Sequence, residues 1–188
     1  MLELIDAQVQ LYPGQRLTIE EVAQLPKNGC KYELIESELS MSPTGLEHEA
    51  IGMQLIRRLI NYLDEHPIGK LYGSSAGFQL DKTTLLSPDV SFVRNEQLPD
   101  GKSPRGFAPF APDLAIEIIS PHDRLSDVAE KIERYFAHGT RLIWTLDPVR
   151  RRATVYHPDD TARTLRPDEA LDGEDVLPGF TCRLSDLL

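Results

Sequence analysis

Cysteine is scarce in this sequence: Cys30 and Cys182 lie far apart, and neither has a C-x-x-C partner. That excludes a disulfide-stapled small domain and a four-thiolate zinc site, and the two read as free thiols in a reducing cytoplasm. No apolar run approaches the roughly 18 residues of a membrane span. No basic stretch followed by an apolar one opens the chain as a secretory signal would. A cytoplasmic protein without membrane association is therefore expected. Excess positive charge is missing too, since 20 Lys and Arg stand against 30 Asp and Glu, for a net charge of −10. General nucleic-acid binders display a basic face, because phosphate neutralisation supplies most of their affinity. Any DNA binding here is expected to be weak and strongly salt-dependent. Internal repeats and low-complexity segments are also absent. What remains is an ordinary globular composition, 40% hydrophobic and 27% charged over 188 residues. It suits one domain, residues 1–188, with a sizeable core.

The organising stretch runs from Pro112 to Gly139. Leu114, Ala115, Ile116, Ile118 and Ile119 form a short apolar run that fits a central strand covered on both faces. Glu117 interrupts it. A carboxylate there costs several kcal/mol unless a metal or cation compensates it. Ser120-Pro121 ends the strand, Asp123 and Ser126 offer helix caps, and Gly139 is a natural stop. Val128, Ile132, Tyr135 and Phe136 mark the apolar stripe of the helix between them, with Lys131 on its edge. Asp89 follows Pro88 at the start of another strand, where its side chain can face a cleft. An Asp at one strand, an acid within the next and a Lys near both is the constellation of metal-dependent phosphodiester cleavage. The carboxylates would hold a hard divalent ion, Mg²⁺ or Mn²⁺, which acidifies water, while the Lys steadies developing charge. Plainer readings stand beside this one. Asp89 and Asp113 each follow a proline and can be turn acids, and Lys131 can pair with Asp127 one turn earlier.

Along the rest of the chain, residues 1–16 are expected as an N-terminal arm. Thr18 and Glu21 form a capping box for a short helix through Leu25, ended by Pro26 to Gly29. Lys31 to Met41 reads as two strands around a turn at Glu36-Ser37, with Glu33 and Glu38 as exposed strand charges and Glu33 near the site as the alternative. Thr44 and Glu47 make a second capping box for the longest helix, about 44–65, whose buried stripe is Ile51, Leu55, Leu59 and Leu63. His48 lies at the N-terminal end of that stripe and can face the cleft. Glu47 and Glu49 are possible minor ligands. A strand is expected over 71–79, weakened at Gly77, and the loop 95–109 reads as a solvated connection with a lid as the alternative. Arg150-Arg151-Arg152 reads as a hairpin turn or a phosphate-contacting patch, to which Arg57, Arg58, Arg163 and Arg166 could add. The tail, with Leu184, Leu187 and Leu188, is expected to dock on the core.

Tyr32-Glu33-Leu34-Ile35, Met41-Ser42-Pro43-Thr44-Gly45 with His48, Ala76-Gly77-Phe78, Ser87-Pro88-Asp89-Val90, Pro112 to Pro121, Glu130-Lys131, Trp144 to Pro148, Val155-Tyr156 and Leu177-Pro178-Gly179-Phe180 together resemble the Uma2 family, formerly DUF820. That family is common in cyanobacteria and has the PD-(D/E)XK fold. The resemblance covers nearly the whole chain. It implies an α/β fold with a restriction endonuclease-like core: a mixed central β-sheet flanked by helices, with an N-terminal β-hairpin and helix. It implies an endonuclease in which Asp89, Glu117 and the backbone carbonyl of Ile118 bind Mg²⁺ or Mn²⁺, with DNA as substrate and a homodimer to meet two strands. The superfamily pattern places Lys two residues after the acid, where this chain has Ile119, so Lys131 is the candidate substitute. A non-catalytic binding module and a hydrolase of smaller phosphoesters are the alternatives.

Overall fold

A computed structural model describes residues 11–26, 30–42, 45–121 and 123–188. In chain order lie α1 (Ile19–Ala23), β1 (Lys31–Ile35), β2 (Glu38–Ser42), α2 (Leu46–Glu65), β3 (Gly69–Gly73), β4 (Phe78–Gln79), β5 (Leu85–Leu86) and β6 (Val90–Arg94). Then follow β7 (Leu114–Ile118), α3 (Leu125–Ala137), β8 (Leu142–Asp147), β9 (Arg152–Tyr156), β10 (Ala162–Leu165), β11 (Ala170–Asp172) and β12 (Thr181–Arg183).

The apolar run at 114–118 is buried throughout because it is an interior strand of a six-stranded sheet, ordered β10-β9-β8-β7-β6-β3. β7 and β8 run parallel with α3 as their crossover, and all other neighbours pair antiparallel. Successive side chains of a strand point to opposite faces. Leu114, Ile116 and Ile118 accordingly share a cluster with Ile51, Leu55 and Leu59 of α2. Ala115 faces the other way and packs with Tyr135, Ile143 and Leu86 beside Ile132 and Phe136 of α3. Glu117 belongs to this second face by alternation. The α2 face carries the larger core, and truncating the fully buried Leu55 to Ala is expected to cost about 3 kcal/mol.

A second sheet, β2-β1-β5-β4, is built on the predicted hairpin. Glu36 and Ser37 form its turn, with φ of 51° and 69°, as a two-residue type I′ turn requires. Leu34 and Leu39 pack with Ile19 and Val22 of α1. The α1 capping box is present: Thr18 Oγ1 accepts from the Glu21 amide at 3.2 Å, and Glu21 Oε2 accepts from the Thr18 amide at 2.7 Å. The tail also docks as expected, since Leu184 and Leu187 enter the main core.

Several boundaries differ from the sequence reading. The strand expected over 71–79 splits into β3 and β4. The chain turns between them, with the Ala76 amide donating to the Gly73 carbonyl at 3.0 Å; Gly77 then bonds to Ala108, so close to Phe107 that a Cβ would lie 2.5 Å from its Cδ1. Neither Asp123 nor Ser126 caps α3. Its N-cap is Arg124, without a side-chain bond. Asp123 turns back to the Ser120 amide at 2.7 Å, and Ser126 donates to Asp127 at 2.9 Å. The N-cap of α2 is Gly45, and Thr44, predicted as that cap, lies outside the described residues. So do 1–10 of the expected arm and 27–29 after α1. Residues 14–17 are no free arm, because Gly14 and Leu39 bond through their backbones, as do Leu17 and Ser37.

Candidate active site

A cleft of about 490 Å³ opens where the C-terminal end of β7 meets the starts of α2 and α3 and the turn between β8 and β9. Its floor carries five charged side chains, Lys31, Glu33, Asp89, Glu117 and Lys131. β6 and β7 pair at Val90–Ile116, so Asp89 and Glu117 stand opposite each other one step further on. Asp89 Oδ2 accepts from the Ile118 amide at 2.7 Å and lies 3.0 Å from His48 Nε2. Asp89 Oδ1 accepts from Lys31 Nζ at 2.9 Å. Glu117 Oε1 accepts from the Tyr135 hydroxyl at 3.1 Å. Its Oε2 lies 3.7 Å from Lys31 Nζ and 3.8 Å from Lys131 Nζ. The predicted trio of Asp89, Glu117 and Lys131 is thus gathered in one place, with His48 bound to one of its acids.

Glu33 is not the exposed charge its strand pattern suggests. It is 3% exposed; Oε1 accepts from the Ser87 amide at 2.8 Å and Oε2 from Lys131 Nζ at 2.5 Å. The reason is where the hairpin sits. Ile35, two residues on and on the same strand face, packs with Tyr135 and Leu86, so that face of β1 looks into the protein. Glu38 is exposed as expected. Glu33, rather than Asp127, is therefore the partner of Lys131. The site also takes in Lys31, read from the sequence only as a strand start, and Tyr135, read only as part of the buried helix stripe. Lys31-x-Glu33 puts two charges on one strand face, a signal that was present but reads equally well as solvated. Glu47 lines the cleft and is exposed at its mouth, whereas Glu49 does not line it.

A sequence profile of the Uma2 family, described as "Putative restriction endonuclease", matches residues 19–185. The chain belongs to the Uma2 family. A crystal structure of "a putative nuclease belonging to DUF820" from Anabaena variabilis ATCC 29413 is similar with a TM-score of 0.79 and 23% identity. The match covers 91% of this chain and 97% of that one. At that identity the likeness establishes the fold, which is restriction endonuclease-like. No curated protein matches the chain.

The electrostatics of the Uma2 cleft follow from burial and pairing. Burial pushes the Glu117 carboxyl up to about 7; the ammoniums of Lys131 and Lys31 pull it down, while Asp89 and Glu33 push it further up. Burial also opposes ionisation of Asp89 and Glu33, but Lys31, His48 and the Ile118 amide outweigh it at Asp89, and Lys131, Lys31 and the Ser87 amide at Glu33, so both are held below the ordinary carboxylate range. The hydrogen bond to Asp89 raises His48. Lys31 and Lys131 lose to burial and regain more from the acids, so both titrate above their usual value. One carboxylate is thus poised near neutrality beside two ionised carboxylates and two ammoniums.

Among the described residues, no three His, Cys, Asp or Glu side chains are already gathered as a metal cage. The donor chemistry nonetheless fits a hard divalent ion. Asp89 and Glu117 offer carboxylate oxygens to one shared positive charge, at present the Lys31 ammonium, and oxygen donors are what Mg²⁺ and Mn²⁺ prefer. Arg150 to Arg152 lie at the turn of the β8–β9 hairpin, the first of their two readings, and several of the arginines are held by acids or carbonyls. Arg150 pairs with Asp147 at 3.0 Å, Arg58 with Asp186 at 3.1 Å and Arg163 with Glu169 at 2.6 Å, while Arg151 donates to the Leu188 carbonyl. The loop 95–109 contributes no residue to the cleft lining.

Proposed function

We propose that this Uma2 protein is a Mg²⁺- or Mn²⁺-dependent phosphodiesterase that hydrolyses DNA. The observation that carries the reading is the convergence of Asp89 and Glu117, from adjacent strands at the floor of an open cleft, on a single cation. These two side chains would hold the ion, with the Ile118 backbone carbonyl as a further ligand. When bound, the ion supplies Lewis acidity to the phosphate and to water. The chain's own groups prepare that site. His48 and the Ile118 amide orient Asp89, and the Tyr135 hydroxyl orients Glu117. Glu33, itself anchored on the Ser87 amide, aims the Lys131 ammonium, which steadies charge developing on the phosphate. Lys131 thereby does from α3 what the residue at Ile119 cannot. A homodimer would present two such clefts to the two strands of a duplex.

Calorimetric titration of Mn²⁺, with plasmid nicking on the same samples, tests this for wild type, Asp89→Asn and Glu117→Gln. One ion per chain and nicking in wild type, both lost in the variants, are expected. Absence of Mn²⁺ binding would sink the enzyme reading and leave a non-catalytic nuclease-fold module.

A smaller phosphoester is the second reading, favoured by the cleft mouth. Exposed Glu47, Asp123 and Asp127 ring it, against Arg124 as the exposed basic residue among the described residues of the lining, and such a rim repels a polyanion more than a small anion. Metal-dependent hydrolysis of bis-p-nitrophenyl phosphate without nicking would select it.

A further inference from the structure

The acid cluster already holds a cation, and that cation belongs to the chain. Lys31 Nζ lies 2.9 Å from Asp89 Oδ1, 3.7 Å from Glu117 Oε2 and 3.9 Å from Glu33 Oε1. Its side chain is only 7% exposed. Lys131 does a different job. It gives its short contact to Glu33 and stays 3.8 Å from Glu117. The two lysines therefore divide the cluster, Lys131 at the Glu33 end and Lys31 between Asp89 and Glu117.

Charge counting favours the exchange. With these five groups ionised and His48, 3.0 Å from Asp89 Oδ2, neutral, three carboxylates and two ammoniums sum to −1. Adding a divalent ion with both lysines in place gives +1 in a buried cluster, with an ammonium pressed against the metal. Exchanging Lys31 for the ion gives zero. Desolvated like charges at contact distance are strongly unfavourable, so the neutral arrangement is preferred. Lysine suits such an exchange, because its ammonium rides on a flexible four-carbon stem, and Lys31 lines an open cleft with water to move into.

We propose that Lys31 is a tethered counter-ion for the Asp89–Glu117 seat: it holds the two acids together in the metal-free protein and withdraws when a divalent cation binds. Metal affinity is then set by competition with the chain's own ammonium. This inference rests on the reading that Asp89 and Glu117 bind the ion. It makes Lys31 a positioning residue, distinct from Lys131.

The test uses wild-type protein stripped with EDTA and pulsed with acetic anhydride, with and without saturating Mn²⁺, and labelling is read lysine by lysine by mass spectrometry. Lys31 is expected to label at least about tenfold faster with Mn²⁺, with little change at Lys131 and no increase in Asp89→Asn. In parallel calorimetry, Lys31→Met is expected to bind Mn²⁺ at least about tenfold more tightly than wild type. Lys31→Arg, which keeps the charge and grips Asp89 with two donors, should bind more weakly. Mn²⁺ binding to wild type with unchanged or reduced Lys31 labelling would overturn the competition and leave the metal site standing. Binding by Lys31→Met but not by wild type would show that Lys31 closes the seat permanently, and would overturn its withdrawal. Absence of binding in both would remove the metal site and this role with it.

Discussion

The protein carries two clusters of basic residues with opposite fates. Lys31 and Lys131 come from separate elements, lie in the interior and share three carboxylates. Arg150, Arg151 and Arg152 are consecutive and exposed; Arg150 and Arg152 are held by Asp147 close by in sequence, and Arg151 by the Leu188 carbonyl of the tail. In sequence the second cluster is far more conspicuous. In energy the first dominates, because an exposed ion pair contributes about 0–1 kcal/mol, whereas breaking a buried one costs about 3–5 kcal/mol. The difference teaches that density of charge along the chain says little about where charge acts. What counts is whether water is excluded around it.

Asp89→Ala should break the comparison most severely. It strips Lys31 of its nearest partner in the interior, so a loss of about 3–5 kcal/mol is expected in denaturant unfolding, together with loss of nicking. A loss below 1 kcal/mol would mean that water reaches the cluster and that the contrast with the Arg turn is false. Lys131→Met separates the two lysines. Nicking should fall about 100- to 1,000-fold with Mn²⁺ affinity nearly unchanged; a collapse of affinity would show that Lys131 builds the metal site rather than assisting the chemistry.

The pH dependence sharpens the picture through Glu117. Its folded-state pKa is raised to about 7 from an ordinary 4.5, so it favours the fold fully below the ordinary value. That contribution is lost as pH rises through about 7. Metal-free stability should therefore decline by about 3 kcal/mol between pH 5 and pH 8 from this group, and Glu117→Gln should flatten the decline. Asp89 and Glu33 work in the opposite sense. Their lowered values give stability that is present above the ordinary carboxylate range and lost on acidification. A metal-free optimum near pH 5 follows, and urea midpoints across pH in EDTA would measure it. The smallest effect is expected at the exposed cluster. Arg150→Gln should change stability by less than about 1 kcal/mol and leave the salt dependence of nicking untouched. A salt slope reduced by about one unit would place a phosphate there after all.

The sequence by itself determined the parts that depend on neighbours along the chain. The apolar flanks of Glu117 marked it as a buried acid in an interior strand. Thr18 and Glu21 specified a capped helix, Glu36-Ser37 a hairpin turn, and the four-residue spacing of Ile51, Leu55 and Leu59 the inner face of α2. Asp89 and His48 were legible as residues able to face a cleft. Tertiary structure alone decided what those residues would meet. Alternation along β1 puts Lys31, Glu33 and Ile35 on one face, but a charged face normally means water. Only the packing of that face beside α3 and the β6–β7 edge turned it inward. In the same way Lys131 could have paired with Asp127 one turn away, and instead bonds Glu33, 98 residues away in sequence. Local periodicity fixes which side chains share a surface. What lies across from that surface is set by long-range packing, and the exclusion of water there converts ordinary charges into a site.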